Sequence, residues 1–381
     1  MNSLREIVET SPQLRRLAAQ GLPNEDVAEP LAPARWDWSQ VKRVLVVRLR
    51  SIGDTVLTTP TLYALRRFLP NVQLDILLED WVAPVLEGYP HVDHIIKVAP
   101  RSATSRARVA RQLRSNRYDV VYNLHGGTTA TFLSRATGAK HRVGYAQYRY
   151  ARLHQHRAPS AATLWGKRKT HSVEQQLALA GWTGVPVSDR PATELAVTAE
   201  ASASVCTRLS QLGVKENSDF ALIHPAAAFA TKQWPVERFA KVVDVLFECG
   251  LTSVAITTRR EIELAAVLKR SSRAPLVVFD DLSLPELTSL ASQARLFVGN
   301  DSGVAHIASA VGVPSVVIFG SSNVDHWQPW AKVPAQIVRE ELECQPCHGY
   351  FCEKFQQPEC ILRVPVEKVL SAVQRVLRES T

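Results

Sequence analysis

Phe297-Val298-Gly299-Asn300-Asp301-Ser302-Gly303-Val304-Ala305-His306-Ile307-Ala308 runs from an apolar strand through a short polar turn straight into a helical stretch. This is the strand–turn–helix unit of a parallel α/β sheet. At the start of such a helix the amides of Ser302, Gly303 and Val304 have no intrahelical acceptor and point outward, which makes an anion site suited to a diphosphate. Gly303 has no side chain to block a close phosphate. His306 lies one turn further in, on a face that reaches the same ligand, and Asp301 sits in the turn itself.

The first half of the chain repeats this pattern. Val44-Leu45-Val46-Val47 is the continuous apolar run expected of a strand buried on both faces. It leads into Arg48-Leu49-Arg50-Ser51-Ile52-Gly53-Asp54, and residues 54–69 then take helical spacing through Val56, Leu57, Leu62, Leu65 and Leu69. Gly53 permits a tight turn beside Arg50 and Ser51. Asp54 falls at the helix start, where dipole and free amides favour a carboxylate. Two readings stay open for it: a helix cap, or a general base facing a cleft. The glycines do not follow G-x-G-x-x-G, so the dinucleotide fingerprint of a dehydrogenase is missing. A third element, from His224-Pro225 to Lys232-Gln233-Trp234-Pro235, is a small-residue loop after a strand. Its Lys232 offers a flexible point charge for phosphate, and Pro235 is suited to open the next helix.

Outward from these units, strand and helix signals alternate. Strands are expected at 72–78, 94–98 and 118–124, with helices at 81–87 and 105–116. The alternation weakens over 145–199 and restarts at 220–224. It continues with helices at 236–249, 261–270, 284–293 and 302–311 and strands at 253–257, 275–279, 296–298 and 315–319. A last helix is expected at 366–377. Two α/β series with a break between them predict two Rossmann-like, doubly wound domains facing a central cleft, with ligands at the carboxyl ends of the strands. The expected division is an N-terminal extension over 1–40, domains over 41–200 and 201–365, and a C-terminal helix over 366–381. Within the extension, Leu4, Ile7, Val8, Leu14 and Leu17 give a weak helical stripe ahead of a proline-punctuated connector.

The 381 residues suffice for two cores, and 46% apolar against 21% charged residues is a globular balance that argues against disorder. No apolar run approaches the ~20 residues needed to span a bilayer, and the first twenty residues lack the apolar core of a signal peptide. A cytoplasmic protein is expected, with contact to a membrane surface still open. The net charge of +9 is concentrated in Arg101, Arg106, Arg108, Arg111, Arg114 and Arg117, and again over 135–169. Such clusters suit phosphate-bearing partners. No nucleic-acid motif accompanies them and the aromatics are not interleaved as a stacking platform, so nucleic acid is not an expected partner. An anionic glycolipid or a membrane surface fits better. Cys344-x2-Cys347-x4-Cys352-x7-Cys360 has one zinc half-site and a loosely spaced remainder. Reduced thiols in a loop are expected, with structural zinc as the alternative.

Taken together, the segments Val46 to Asp54, His224 to Pro235 and Asn300 to His306 resemble glycosyltransferase family 9, the lipopolysaccharide heptosyltransferases of the GT-B fold. The stretch His171-Ser172-Val173-Glu174 is similar to the family's segment leading into the domain linker. The resemblance implies inverting transfer of heptose from ADP-heptose to a lipopolysaccharide inner-core acceptor of Kdo–lipid A type, with no metal or other cofactor. It implies Asp54 as the catalytic base and Lys232 as a ligand of the donor phosphates. Asp301, Ser302, Gly303, Val304 and His306 would hold the nucleotide sugar. Many members carry an acid that binds the nucleoside after the strand at 253–257. Here that stretch reads Thr257-Thr258-Arg259-Arg260-Glu261, leaving Glu261, or neither acid nor glycine, in the role. The rival readings are a family 9 transferase with another nucleotide sugar or acceptor, and a non-catalytic nucleotide- or carbohydrate-binding protein on the same scaffold.

Overall fold

The apolar run Val44-Leu45-Val46-Val47 forms the body of β1 (Arg43–Val47), and all four side chains are fully buried. The computed structural model describes residues 28–215, 218–347 and 350–380. In it β1 is joined by β2 (Gln73–Glu79), β3 (His94–Val98), β4 (Val120–Asn123), β5 (His141–Tyr145) and β6 (His156–Ala158). The second half contains β7 (Phe220–His224), β8 (Thr252–Ile256), β9 (Leu276–Phe279), β10 (Leu296–Asn300), β11 (Ser315–Ile318) and β12 (Ala335–Val338). The sheets run β3-β2-β1-β4-β5-β6 and β12-β11-β10-β7-β8-β9. Every pairing is parallel. Counted from its own first strand, each sheet has the order 3-2-1-4-5-6 of a doubly wound nucleotide-binding fold, so strand order reverses between β1 and β4 and again between β7 and β10. The fold class read from the sequence is the one observed.

Several boundaries differ, each for a local reason. The helix expected over 54–69 is two helices, Ile52–Val56 and Thr59–Phe68. Pro60 at the start of the second has no N–H for a continuing helix, and the Thr58 hydroxyl donates back to the Asp54 carbonyl at 2.8 Å. The helix expected at 81–87 is a short 3₁₀ turn, Ala83–Leu86. The weak region over 145–199 is ordered as β6 and the helices Ala161–Trp165 and Ser172–Gly181. The stretch without helix or strand is confined to 182–198, where Pro186, Pro191 and Gly184, at φ +102°, interrupt regular structure. The helical stripe over 4–17 lies outside the described residues. Residues 28–40 do not stand apart from the body. Leu31 donates to the Gly181 carbonyl at 3.0 Å, Trp38 to that of Thr183 at 3.1 Å, and the Arg35 guanidinium lies 4.0 Å over the Trp182 ring.

The two halves meet directly. Helix Ile52–Val56 packs against helix Gly303–Ala310, and one hydrophobic cluster runs continuously from the first sheet into the second. A further seam joins residues 325–330 to the first half and its connector. Lys169 pairs with Asp325 at 2.6 Å, His171 meets the Gln328 carbonyl at 2.8 Å, and the Thr193 hydroxyl donates to the Trp330 carbonyl at 2.6 Å. The last helix, Val366–Glu379, belongs to the second half, where it covers β11 and β12.

Candidate functional site

Asp54 and Asp301 both follow a central strand and emerge at the crevice where strand order reverses, the place where open α/β sheets bind ligands. The turn after β1 makes Ser51 the N-cap, which puts Asp54 at the third helical position. One carboxylate oxygen of Asp54 accepts from the Ser51 amide at 3.1 Å and the Ser51 hydroxyl at 3.0 Å. The other is paired with the Arg48 guanidinium, which also donates to the Leu124 carbonyl at 2.7 Å. Burial pushes this carboxyl up. Arg48, the two Ser51 donors and His306 outweigh burial and hold it below its ordinary value. Asp54 is therefore ionised at neutral pH, and its Arg48-bound oxygen has a lone pair left for a ligand hydroxyl. Arg50 is exposed beside it.

On the other side of the crevice, Lys232 ends a 3₁₀ turn, Ala230–Lys232, and pairs with Asp301 at 2.8 Å. The same Asp301 oxygen accepts from the Ser322 hydroxyl at 2.5 Å. Lys232 is thus not a free loop lysine but half of a nearly buried pair. Asn300 ties the two loops together, accepting from the Trp234 amide at 3.1 Å and donating to the Pro225 carbonyl at 2.8 Å. Ser302 caps helix Gly303–Ala310 and its hydroxyl contacts His224 Nδ1 at 3.1 Å. Among the described residues, the amides of Ser302, Gly303 and Val304 make no hydrogen bond. Glu261 lies after the neighbouring β8 and accepts from the Thr258 amide at 2.8 Å, closing its own turn.

The glycines have a function the sequence did not reveal. A Cβ on Gly53 would sit 2.7 Å from His306 Cδ2, and one on Gly303 would sit 3.0 Å from Ile52 Cβ. Gly303 therefore makes room for the opposite half, besides leaving helix amides open. His306 is buried against Gly53, and its Nδ1 has no partner among the described residues. Burial lowers its basicity; Asp301 and Asp54 oppose this, and Lys232 adds to it. Burial alone takes His224 down to about 4, and burial with Arg48 takes His125 to about 4. The site histidines are neutral at pH 7 and serve as hydrogen-bonding groups, not cations.

Next to Asp54, a cavity of about 230 Å³ opens between the halves, lined by Arg48, His125, Gln147, Gln175, His326 and Trp327 among others. None of these was singled out as a ligand group in the sequence, although Arg48 stands in the same motif as Asp54. Among the described residues no three His, Cys, Asp or Glu side chains gather to hold a metal, and the six cysteines are free thiols. The arrangement offers an ionised carboxylate paired with Arg48 of the cavity wall, with a cation, open amides and a neutral imidazole on the other side.

The family profile described as glycosyltransferase family 9 (heptosyltransferase) matches residues 106–356. Lipopolysaccharide heptosyltransferase 3 of Escherichia coli is 26% identical over 351 residues, covering 87% of this chain and 98% of that protein. Two crystal structures share the fold. A glycosyl transferase family 9 protein from Veillonella parvula aligns with a TM-score of 0.77 at 22% identity, covering 89% of this chain and 97% of that one. E. coli heptosyltransferase WaaC with ADP aligns with a TM-score of 0.66 at 19% identity, covering 89% and 99%.

Proposed function

The chain belongs to glycosyltransferase family 9, and on that premise we propose that it transfers heptose from ADP-heptose, with inversion and without a metal, to a lipopolysaccharide inner-core acceptor of Kdo–lipid A type. The observation that carries this reading is the contact of Gly53 with His306 and of Gly303 with Ile52, which brings the loop of Asp54 up to the helix start beside Lys232 and Asp301. A base for the acceptor and an anion site for the donor thus share one crevice. The half over 41–200 is assigned to the acceptor and the half over 201–365 to the nucleotide sugar. The reading places the work at the inner face of the cytoplasmic membrane. Among the described residues no helix is long and apolar enough to cross a bilayer.

In the reaction, the acceptor hydroxyl donates to the free lone pair of Asp54, which takes its proton as the oxygen attacks the anomeric carbon. The bond from that carbon to the diphosphate oxygen breaks on the opposite face, and ADP leaves with the electron pair. Lys232 and the amides of Ser302, Gly303 and Val304 face the charge growing on the departing phosphate. His306 Nδ1, otherwise unpartnered, is free to bind a donor oxygen, and Glu261 is assigned to the nucleoside. Arg48 keeps Asp54 oriented. ADP in the crystal structure of the E. coli relative supports the choice of nucleotide.

The test is to incubate purified protein with a delipidated Kdo-bearing core acceptor and ADP-, UDP- or GDP-linked sugars, and to weigh the product. Extension of the acceptor by one heptose from ADP-heptose is expected. Extension from a UDP or GDP sugar alone would move the chain to another donor, and ADP binding without turnover of any donor would make it a non-catalytic binding protein.

A further inference from the structure

We propose that the outer layer of the first half, formed by helices Ala103–Ser115 and Thr128–Ala136 with the turn Ala151–Leu153, is a docking surface for an anionic bilayer. It draws on the function proposed above in one respect only: a lipid-borne acceptor gives the enzyme a reason to sit on that bilayer. The surface itself stands on packing and charge.

Val109 and Leu113 of the first helix, and Ala130 and Leu133 of the second, pack with Leu45, Val47 and Val121 on one face of the first sheet. The second half joins the cluster on the opposite face. The outward sides of these two helices therefore look away from the cleft and from the rest of the chain. In helix Ala103–Ser115 the buried positions are Ser105, Val109 and Leu113. Arg108 and Arg111 are exposed along the opposite side, and Arg114, also exposed, lays its guanidinium back over Gly138. The helix contains no carboxylate, and among the described residues no ion pair includes any of these three arginines.

The adjoining helix adds an apolar component. Phe132 is 53% exposed, and its ring stands 5.7 Å from that of Tyr150, over which the Arg149 guanidinium lies at 5.4 Å. Arg135 and Arg152 are exposed nearby in the chain. A solvated basic face commonly carries acids among its bases, as the exposed side of helix Val236–Glu248 does with Glu237, Lys241 and Glu248. Guanidiniums beside half-exposed rings suit the boundary of an anionic bilayer, where the charges meet headgroup phosphates and the rings enter the acyl boundary.

The experiment is co-sedimentation of the full chain with vesicles of phosphatidylglycerol or of phosphatidylcholine, at low and high salt. Binding to phosphatidylglycerol, at least about tenfold stronger than to phosphatidylcholine and weakened by salt, is expected. R108E/R111E/R114E should lose roughly tenfold or more of that binding. Phe132→Ser should lose several-fold, with a residual loss that persists in high salt. Both variants should extend the delipidated acceptor like the parent, which shows that they are folded. The proposal is overturned by equal binding of the two lipids, by a triple variant that pellets like the parent, or by no vesicle binding at all. It is also overturned if these arginines serve a single-stranded RNA in preference to vesicles, or if the triple variant instead dissolves a homodimer in sedimentation velocity. Vesicle binding without acceptor extension by the parent would sink the proposed function and leave the surface standing.

Discussion

The two halves have the same strand order and each places an aspartate beside a cation at its reversal point, yet the two pairs are built differently. In the first half the partner of Asp54 is Arg48, six residues back in the same loop and also tied to the Leu124 carbonyl. A planar guanidinium held at both ends stays where it is. In the second half the partner of Asp301 is Lys232, from the loop after a different strand, and an ammonium on a flexible stem can leave a carboxylate for a phosphate. In the function proposed above, the first pair tunes a base and the second stores a cation for a ligand. Fold alone does not distinguish them, and the choice of arginine or lysine does.

The strongest way to break this division is Asp54→Asn. We expect transfer to fall by about 10²–10⁴, the range for losing a general base, while ADP affinity measured by calorimetry stays at the parental value. An equal loss of ADP affinity would place Asp54 on the donor side. Lys232→Ala should do the reverse, weakening ADP by roughly ten- to a hundredfold, the span of a charged hydrogen bond. If only turnover falls and ADP still binds normally, Lys232 is not a donor ligand.

Gly53→Ala probes the contact between the halves. Its Cβ would meet His306 at 2.7 Å, and we expect a cost of about 1–3 kcal/mol in unfolding experiments, as for other overpacked sites. An unchanged midpoint would mean that the His306 ring yields to the methyl at no cost and that the contact is not close-packed. The mildest test is the acid limb of the pH–rate profile. Because the Asp54 carboxyl lies below its ordinary value, its ionisation stabilises the fold above the unfolded-state value, and that contribution is lost only as pH falls through the folded-state one. The parent should hold its rate down to pH values below the ordinary carboxylate range. In Arg48→Met the opposing effect of burial is left less balanced, and the limb should move to higher pH. A limb that stays in place would remove Arg48 from the tuning of the base.

Much of this was legible in the sequence because it is local. Val44 to Val47 and Leu296 to Val298 are apolar runs that only a doubly buried strand explains, and Asp54 and Asp301 stand one turn beyond them. β6 and β12 carry little signal because they are short edge strands with a single buried position each, and in the interior strand β5 the polar His141 and Arg142 and the small Gly144 break up the apolar run. The pairing of Arg48 with Asp54 depends on a reversal of the chain that spacing alone does not specify. The fit of Gly53 to His306 and the seam from His171 to Gln328 join residues far apart in the chain, so no local pattern carries them. The cavity residues Gln147, Gln175 and Trp327 went unmarked for the same reason.

The close approach at Gly53 and Gly303 has a mechanical consequence. It lies where both sheets reverse their strand order, near the middle of each, so it can serve as the fulcrum of a rocking motion. Points near a fulcrum travel least. A tilt about it would shift Asp54 and His306 only slightly against each other, and would have to release the seam from Lys169, His171 and Thr193 to residues 325–330. The crevice would widen at its rim while the loop of Asp54 stays almost in register with the helix start at Gly303.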